Sequence, residues 1–365
     1  MKYFDHNATS PIAPEVLAVL RRVQEEVFGN PSSIHSWGQE ARKEVEVARA
    51  SVARLLGCEP KEVVFTSGGT EADNLAILGA PPGHVITAAV EHPAVLEAAR
   101  LRNATVVRVD GQGRVDVDEV RRALRPDTVL ISVMHANNET GVMQPVEEIA
   151  ALAREAGVLL HSDGVQAAGR VAVDVKALGV DLYSISGHKF GAPKGVGALY
   201  VRGGVKMAAR QVGGRQERER RAGTENVAGI AALGAAAALP RADTGPLRDR
   251  LEDLVLERIP DAVIHGRGAK RVPNTTNIAF PGIEAEALVI ALDLAGFAVS
   301  TGAACSSGAT RPSHVLEAMG VPAAVARASV RISLGRGNTM EDVEALVEAL
   351  VKAVDRLRKM SPAYA

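Results

Sequence analysis

Seven short apolar runs alternate with amphipathic stretches up to residue 201, and this alternation is the strongest constraint on the fold. Several runs are apolar without interruption, as in strands buried on both faces of a sheet. The predicted strands cover 62–67, 85–90, 105–109, 128–134, 158–162, 182–186 and 196–201. Helices are predicted between them, for example over 93–101 and 146–156. The pattern favours an α/β fold with a mostly parallel seven-stranded sheet, whose ligands bind at the carboxyl ends of the strands.

The character of the sequence changes near residues 240–246, where proline, aspartate and glycine interrupt the apolar pattern. We place a domain boundary there. Beyond it the sequence predicts a helix over 247–258, short strands around 277–280 and 329–334, and a final amphipathic helix. We expect three parts: an N-terminal segment that packs with the small domain (1–14), a large α/β domain (15–242) and a smaller α+β domain (243–365).

Charge and cysteine content argue against several classes of protein. The 42 Lys and Arg balance 43 Asp and Glu, so no basic field attracts nucleic acid. Two cysteines are too few for a disulfide framework and indicate a reducing compartment, which predicts a cytoplasmic protein. No apolar run is long enough to cross a bilayer, and the first residues do not resemble a secretory signal. No spacing of histidines or cysteines is typical of a metal site, so none is expected.

The segment 66–74 (Thr-Ser-Gly-Gly-Thr-Glu-Ala-Asp-Asn) joins a predicted strand to a predicted helix. Its two glycines let the backbone approach a ligand, and the free N–H groups at the helix start favour an anion such as phosphate. Thr70 is expected to cap the helix, with Asp73 completing a capping-box-like pattern. The segment matches neither a Walker A loop nor a GxGxxG fingerprint, and an ordinary capped helix is the alternative interpretation.

Two other strand ends carry reactive groups. Lys189 lies among small and apolar residues, where desolvation would lower the pKa of its amine and favour condensation with an aldehyde. The alternative is a lysine exposed in a surface loop. Asp163 ends the fifth predicted strand, where a carboxylate would keep a pyridinium nitrogen protonated. Together with the anion-binding loop, these groups are the parts of a pyridoxal 5'-phosphate (PLP) site.

The chain resembles, essentially end to end, the cysteine desulfurases: the NifS/IscS-like group of class V aminotransferase-like, fold-type I PLP enzymes. The matching motifs are 5–11 (Asp-His-Asn-Ala-Thr-Ser-Pro), 28–33, 66–74, 87–93, 134–141, 161–166, 186–195 (Ser-Gly-His-Lys-Phe-Gly-Ala-Pro-Lys-Gly), 221–224 (Arg-Ala-Gly-Thr), 300–308 and 331–336. The resemblance implies a PLP-dependent transferase that converts L-cysteine to L-alanine. It also implies a homodimer with shared active sites.

The resemblance assigns cofactor-binding roles. Lys189 would form a Schiff base with PLP, Asp163 would pair with the pyridine nitrogen, and Gln166 would hydrogen-bond the phenolic oxygen. His92 would stack on the ring and take part in proton transfer. The phosphate would be held by Gly69, Thr70, Ser186, His188 and, from the partner subunit, Thr224. We also expect the charged segment 211–221 to line the dimer interface.

The same resemblance assigns substrate binding and sulfur transfer to three further residues. Asn138, which would also contact the cofactor, and Arg331 would hold the substrate carboxylate, Arg331 by a bidentate pair. Cys305, in a stretch of small polar residues expected to be a mobile loop, would accept sulfur as a persulfide. The sulfur would pass to an acceptor protein for iron–sulfur cluster assembly or thiolation. Cys58 and His161 match no catalytic role and are interpreted as structural.

Two other functions remain open from the sequence. An aminotransferase or a selenocysteine lyase would use the same Lys189 and Asp163, but a transaminase would not need Cys305. Replacing Cys305 with serine would therefore separate transamination from desulfuration. A non-catalytic sulfur-delivery or scaffold homologue would purify without a bound chromophore.

Overall fold

The computed structural model describes residues 1–301 and 312–360. The strands are β1 (Lys2–Tyr3), β2 (Val63–Thr66), β3 (His84–Ala88), β4 (Asn103–Val107), β5 (Thr128–Ser132), β6 (Leu159–Asp163), β7 (Leu182–Ser186), β8 (Gly197–Val201), β9 (Val263–Ile264), β10 (Thr275–Ala279), β11 (Phe297–Ala298), β12 (Ser300–Thr301) and β13 (Ser329–Ser333). The helices are α1 (Pro14–Glu26), α2 (Ser36–Leu56), α3 (Gly69–Gly79), α4 (Pro93–Arg100), α5 (Val117–Ala123), α6 (Val146–Ala156), α7 (Val175–Leu178), α8 (Val227–Ala237), α9 (Gly245–Arg258), α10 (Ala285–Leu294), α11 (His314–Ala318), α12 (Ala323–Arg327) and α13 (Met340–Met360). No described helix is both long and apolar enough to span a membrane.

Among the described residues, seven strands form the predicted large sheet in the order β2-β8-β7-β6-β5-β3-β4. Each begins and ends within two residues of its predicted bounds. The strands from β7 to β4 pair in parallel, whereas β8 is antiparallel to both β7 and β2. Because two reversals restore the original direction, β2 ends at the same edge of the sheet as β6 and β7. The loop after β2 therefore meets the loops after β6 and β7.

Both faces of the large sheet are covered by helices, as its continuous apolar strands predict. Consecutive residues of one strand enter different cores: Leu130 packs with α3 and α4, and Ile131 packs with α2, α6 and α8. Likewise, Leu182 packs in the core that contains α3 and α4, and Tyr183 packs in the core that contains α2, α6 and α8. This two-sided burial fixes the register of the strands, and with it the residues that lie at their carboxyl ends.

A second core lies beyond the large sheet. It contains Phe4 together with apolar residues of α9, α10 and α13 and of the antiparallel sheet β12-β13-β10-β9. The N-terminal strand β1 pairs in parallel with β11, so the first residues of the chain lie against this core. In contrast, Val315 and Leu316 of α11 pack in the first core. The division into 1–14, 15–242 and 243–365 stays a prediction.

Candidate active site

Helix α3 begins without a side-chain cap. The residue at the N-cap is Gly68, which has no side chain to accept a hydrogen bond, and Thr70 lies inside the helix. The predicted Thr70 cap was therefore wrong. Asp73 does not complete a capping box either, because it is buried and hydrogen-bonded to Ser184 of the sheet. Tertiary packing, rather than the local sequence pattern, therefore determines this helix start. Because no side chain caps it, its N–H groups are suited to an external anion.

The residues predicted to hold a phosphate converge on this helix start. A Cβ atom built on Gly69 would lie 2.7 Å from Val165 Cγ2 and 3.5 Å from Ser186 Cβ, so only glycine fits there. His188 follows Ser186 in a short 3₁₀ turn. Gly69, Thr70, Ser186 and His188 thus lie at one edge of the sheet. Thr224 is exposed in the loop before α8.

Lys189 reaches the N-terminal segment Asp5–Ser10, which we call the strap. Its Nζ donates hydrogen bonds to the carbonyl oxygens of Asn7, at 2.7 Å, and Ala8, at 2.9 Å. Ser10 Oγ donates to the Lys189 carbonyl at 3.1 Å. The Lys189 ammonium charge also opposes the rise that burial causes in the pKa of Asp163 and adds to the fall that burial causes in the pKa of His92, which places all three groups in one electrostatic environment.

Asp163 is a buried carboxyl group at the end of β6. Burial raises its pKa to about 6, although the Val165 N–H, which donates to Oδ1 at 2.8 Å, and the charge of Lys189 oppose that rise. A cation placed beside it would stabilise its ionised form.

Behind Asp163 lies a polar layer, which we call the floor: Asp73, Ser132, His161 and Ser184. The ring of His161 is held between two hydroxyl oxygens, with Nδ1 2.8 Å from Ser132 Oγ and Nε2 3.0 Å from Ser184 Oγ. Asp73 Oδ1 lies 3.6 Å from Nε2. Burial lowers the pKa of His161 to about 3. The ring is therefore neutral and held on both nitrogens, in agreement with the structural interpretation.

His92 forms the N-cap of α4. Its Nδ1 accepts a hydrogen bond from the Ala94 N–H at 3.1 Å, which fixes the ring orientation. Burial lowers its pKa to about 4, and the charges of Lys189 and His314 contribute. A neutral, oriented ring beside Lys189 can stack on a flat ligand and exchange protons through Nε2.

Arg331, on β13, faces the strap. It donates from Nη2 to Asp5 Oδ1 at 2.8 Å and from Nη1 to the Asn138 carbonyl at 3.1 Å. Its buried Nε has no hydrogen-bond partner in the described part of the chain. Asn7 Nδ2 also donates to the Asn138 carbonyl, and Gln166 Nε2 donates to the Asn7 carbonyl at 3.1 Å. The strap thus links Arg331 and Asn138, the predicted substrate-binding residues, to Gln166, a predicted cofactor-binding residue.

The sequence analysis missed Arg170, which supports this network. Its guanidinium donates to Gln166 Oε1 and, at 3.1 Å, to the His6 carbonyl. Burial lowers its pKa to about 9, and the charge of Arg331 contributes. The signal was a spacing of four residues from Gln166, which places two side chains on one side of a helical turn.

Of the two cysteines, only Cys58 lies among the described residues. Cys58 is partly buried, and burial, with a contribution from the Glu62 charge, raises the pKa of its thiol to about 12. Such a thiol carries almost no thiolate at neutral pH, which agrees with a structural role. Cys305, with the loop predicted around it, lies outside the described residues.

Comparisons with known proteins agree with the geometry of the site. The sequence profile of the family described as Aminotransferase class-V matches residues 2–346. A protein of Trichormus azollae named cysteine desulfurase is 45% identical, over 99% of this chain and 94% of its own. The cysteine desulfurase IscS of Dictyoglomus turgidum is 44% identical, over 99% and 96%. The solved NifS-like protein of Rickettsia africae superposes with a TM-score of 0.90 at 37% identity, covering 97% of this chain and 99% of its own.

Proposed function

The chain belongs to the aminotransferase class-V family, and from this premise we propose that it is a PLP-dependent cysteine desulfurase. In the proposed reaction it takes sulfur from L-cysteine, releases L-alanine and passes the sulfur to an acceptor protein. The observation that carries the proposal is the convergence of Lys189, Asp163 and the uncapped start of α3 at one edge of the sheet. The names of its relatives at about 45% identity support the same activity.

The residues present fit PLP. Gly69 leaves room for a phosphate where any side chain would meet Val165, and the start of α3 offers N–H donors without a side-chain cap. Asp163 is buried, and burial raises its pKa, so a cationic ring nitrogen beside it would stabilise its ionised form. Lys189 would hold the cofactor covalently, and the remaining cofactor contacts would come from Thr70, His92, Asn138, Gln166, Ser186, His188 and the partner's Thr224. When bound, PLP supplies an electron sink for carbanion chemistry at the substrate α-carbon.

The protein's own groups then position the substrate and move protons. Arg331 would bind the substrate carboxylate with its guanidinium, whose Nε is buried and unpartnered among the described residues. Asn138 lies beside it. Lys189 Nζ would move the proton of the substrate α-carbon, assisted by His92 Nε2. The low pKa of His92 keeps its ring neutral at neutral pH, so it would pass a proton on rather than hold it.

Cys305 is proposed as the sulfur acceptor. Its thiolate would attack the substrate sulfur as the carbon–sulfur bond breaks, so that one S–S bond forms and one C–S bond is lost. The proton of the thiol is conserved in the products, a Cys305 persulfide and L-alanine, and no external oxidant is required. An iron–sulfur scaffold or a thiolation protein would then receive the outer sulfur. The content of two cysteines supports a reducing, cytoplasmic setting.

The proposed homodimer has a candidate surface. Phe28 and Ile34, in the loop between α1 and α2, expose 73% and 95% of their surfaces, and Trp37, in the first turn of α2, exposes 50%. The start of α8, which follows Thr224, packs against the end of α1 at Val27 and the first turns of α2. The exposed apolar loop and Thr224 therefore lie at the same end of this helix layer. Burial of that end against a second copy would bring Thr224 toward the partner's cofactor.

The decisive experiment is the intact mass of the purified enzyme after brief exposure to L-cysteine without reductant. We expect the wild-type chain to gain the mass of one or more sulfur atoms, removable by added thiol. Cys305→Ser should gain none, whereas the matched Cys58→Ser should behave as wild type because its thiol is almost fully protonated. Lys189→Ala should lose both the bound chromophore and the mass gain.

Two outcomes would contradict the proposal. Wild-type enzyme that carries PLP at Lys189 but gains no sulfur would favour transamination of another amino acid. A chain that binds no PLP at all would favour the non-catalytic scaffold homologue.

A further inference from the structure

The start of α3 contains a contact similar to one half of a capping box. In the complete motif, the N-cap side chain accepts the N–H of the third helical residue, and that residue's carboxylate accepts the N-cap N–H. Here Glu71 is the third helical residue, and its Oε2 accepts the N–H of Ser67, one residue before the N-cap, at 2.7 Å. The other half is absent because the N-cap is Gly68. The absent acceptor leaves a place beside the helix start that an external oxygen can fill.

Glu71 is itself held by a residue from a distant loop. Arg221 Nε donates to Glu71 Oε1 at 2.8 Å, and Nη2 donates to Oε2 at 3.3 Å. Both side chains are mostly buried, exposing 20% and 23% of their surfaces. Burial opposes ionisation of Glu71, but the hydrogen bonds from Arg221 and Ser67 outweigh it and lower its pKa. The carboxylate therefore stays charged and fixed at the edge of the predicted phosphate site.

The loop that carries Arg221 is anchored to the strand that leads into the same site. Glu217 forms a buried bidentate ion pair with Arg49 of α2, at 2.8 Å for each hydrogen bond. Glu217 Oε2 also accepts the Phe65 N–H of β2 at 2.8 Å. Residues 217–219 adopt left-handed backbone conformations with φ between 46° and 65°, which cost energy for side chains other than glycine. This strained turn is maintained by the buried pair, and it sets the position of Arg221.

We propose that the Glu71–Arg221 pair is a positioning device for the phosphate of the cofactor, acting through the Ser67–Gly68 turn rather than by charge. This inference rests on the proposed function, since PLP is the ligand whose phosphate is placed. Glu71 orders the turn by accepting the Ser67 N–H, and Arg221 keeps Glu71 in that orientation and offsets its charge. Neither residue touches the phosphate in this arrangement.

Positioning and simple electrostatics predict opposite changes in PLP affinity when Glu71 is replaced by alanine. A carboxylate near a phosphate repels it, so by charge alone Glu71→Ala or Glu71→Gln would bind PLP more tightly. If Glu71 orders the turn, Glu71→Ala binds PLP more weakly, because the Ser67 N–H loses its acceptor and the turn loosens. Glu71→Gln retains an acceptor oxygen and should restore most of the affinity.

The experiment titrates the cofactor-free full-length chain with PLP and, separately, with pyridoxal, which lacks the phosphate. Visible absorbance of the bound ligand gives each dissociation constant. We expect Glu71→Ala to weaken PLP about tenfold, the scale of a lost helix-terminus hydrogen bond, and to leave pyridoxal within about twofold. Glu71→Gln should stay within about threefold of wild type for PLP. Arg221→Ala should follow Glu71→Ala, because the unpaired carboxylate loses its orientation.

A matched control is available on helices α5 and α6. Arg121 and Glu155 form an exposed ion pair at 3.5 Å, and Arg121→Ala should leave both dissociation constants unchanged. Tighter binding of PLP by Glu71→Gln would overturn the inference even if Glu71→Ala failed to fold. Equal weakening of PLP and pyridoxal would also overturn it, since a general structural loss does not distinguish them. Failure of the wild-type chain to bind PLP would instead reject the proposed function.

Discussion

The floor and the strap border the same site but satisfy their polar groups in different ways. In the floor, both ring nitrogens of His161 have hydroxyl partners on neighbouring strands, and all members are buried. In the strap, two backbone carbonyls hold the Lys189 ammonium and the Asp5 carboxylate holds one side of Arg331. The His161 ring of the floor is satisfied by the protein itself, whereas the strap occupies groups that a substrate and a cofactor are proposed to use.

This difference separates stability from ligand binding. A group whose partners lie within the fold contributes to the free energy of unfolding, and its loss leaves a buried donor or acceptor unsatisfied. A group that exchanges its partner for a ligand contributes to binding instead. Variants of the floor should therefore change stability, and variants of the strap and of Arg331 should change substrate binding. Three substitutions test that separation.

The largest effect is expected for Arg331→Ala. Removal of the guanidinium takes away the cation proposed to bind the substrate carboxylate, so kcat/KM for L-cysteine should fall about 100-fold or more, chiefly through KM. Steady-state kinetics on the PLP-loaded enzyme measure this. Arg336→Ala, an exposed arginine in the loop after β13, is the control and should retain wild-type kinetics. A loss confined to kcat would place the substrate carboxylate elsewhere.

An intermediate effect, on stability, is expected for His161→Ala. Two hydroxyl groups lose their partner, so the free energy of unfolding should fall by about 2 kcal/mol, while the KM for L-cysteine stays unchanged. His84→Ala is the matched control, because His84 is also held between two hydroxyls, Thr128 and Thr105, each at 2.8 Å, but on the first residue of β3. Chemical denaturation compares the two. A raised KM in His161→Ala alone would show that the floor also serves binding.

The same histidine gives a pH dependence with a defined sign. Its pKa is lowered in the folded state from 6.5 to about 3, so the unfolded chain binds more protons throughout that interval. The stability contributed by neutral His161 is fully present above pH 6.5 and is lost as the pH falls toward about 3. His161→Ala should therefore lose stability less steeply on acidification, by up to ~1.4 kcal/mol per pH unit. Parallel acid profiles for variant and wild type would contradict this assignment.

The smallest effect is expected for Asp5→Asn. The amide no longer holds Arg331 by charge, so the guanidinium is more available and the KM for L-cysteine should fall about threefold. Stability should change by less than about 1 kcal/mol, because Asp5 is partly exposed. Lys2→Ala, which removes the ion pair between exposed Lys2 and buried Asp342, is the control for KM. An increase in KM would mean that Asp5 orients Arg331 for the substrate.

The sequence predicted those parts of the site that depend on strand ends. Asp163 and Ser186 are the last residues of β6 and β7, and continuous apolar strands placed them with little error. The start of α3 was predicted as an anion site, but its cap was not predicted correctly. The pattern favoured Thr70 because threonine caps helices well, whereas the helix begins at Gly69 and Asp73 is buried inside it.

Contacts made by the strap could not be predicted in this way. Asp5 and Arg331 are 326 residues apart, and Lys189 and Asn7 are 182 apart. No local preference specifies which carbonyl oxygens meet an ammonium group across such separations, because the path of the N-terminal segment depends on the completed second core. Arg170 is an intermediate case between these two. Its spacing of four residues from Gln166 could be read from the sequence, but its contact with the distant His6 carbonyl could not.

The pairing of β1 with β11 also sets the order of events during biosynthesis. The partner of Lys2 is Phe297, so the first strand to leave the ribosome is among the last to find its place. At about 5–20 residues per second, the ribosome needs roughly 15–60 s to make the intervening chain. Lys189 is made 108 residues before Phe297, so it leaves the ribosome roughly 5–20 s before β1 can pair with β11. A chain arrested before residue 297 should therefore contain Lys189 but lack the strand that positions β1.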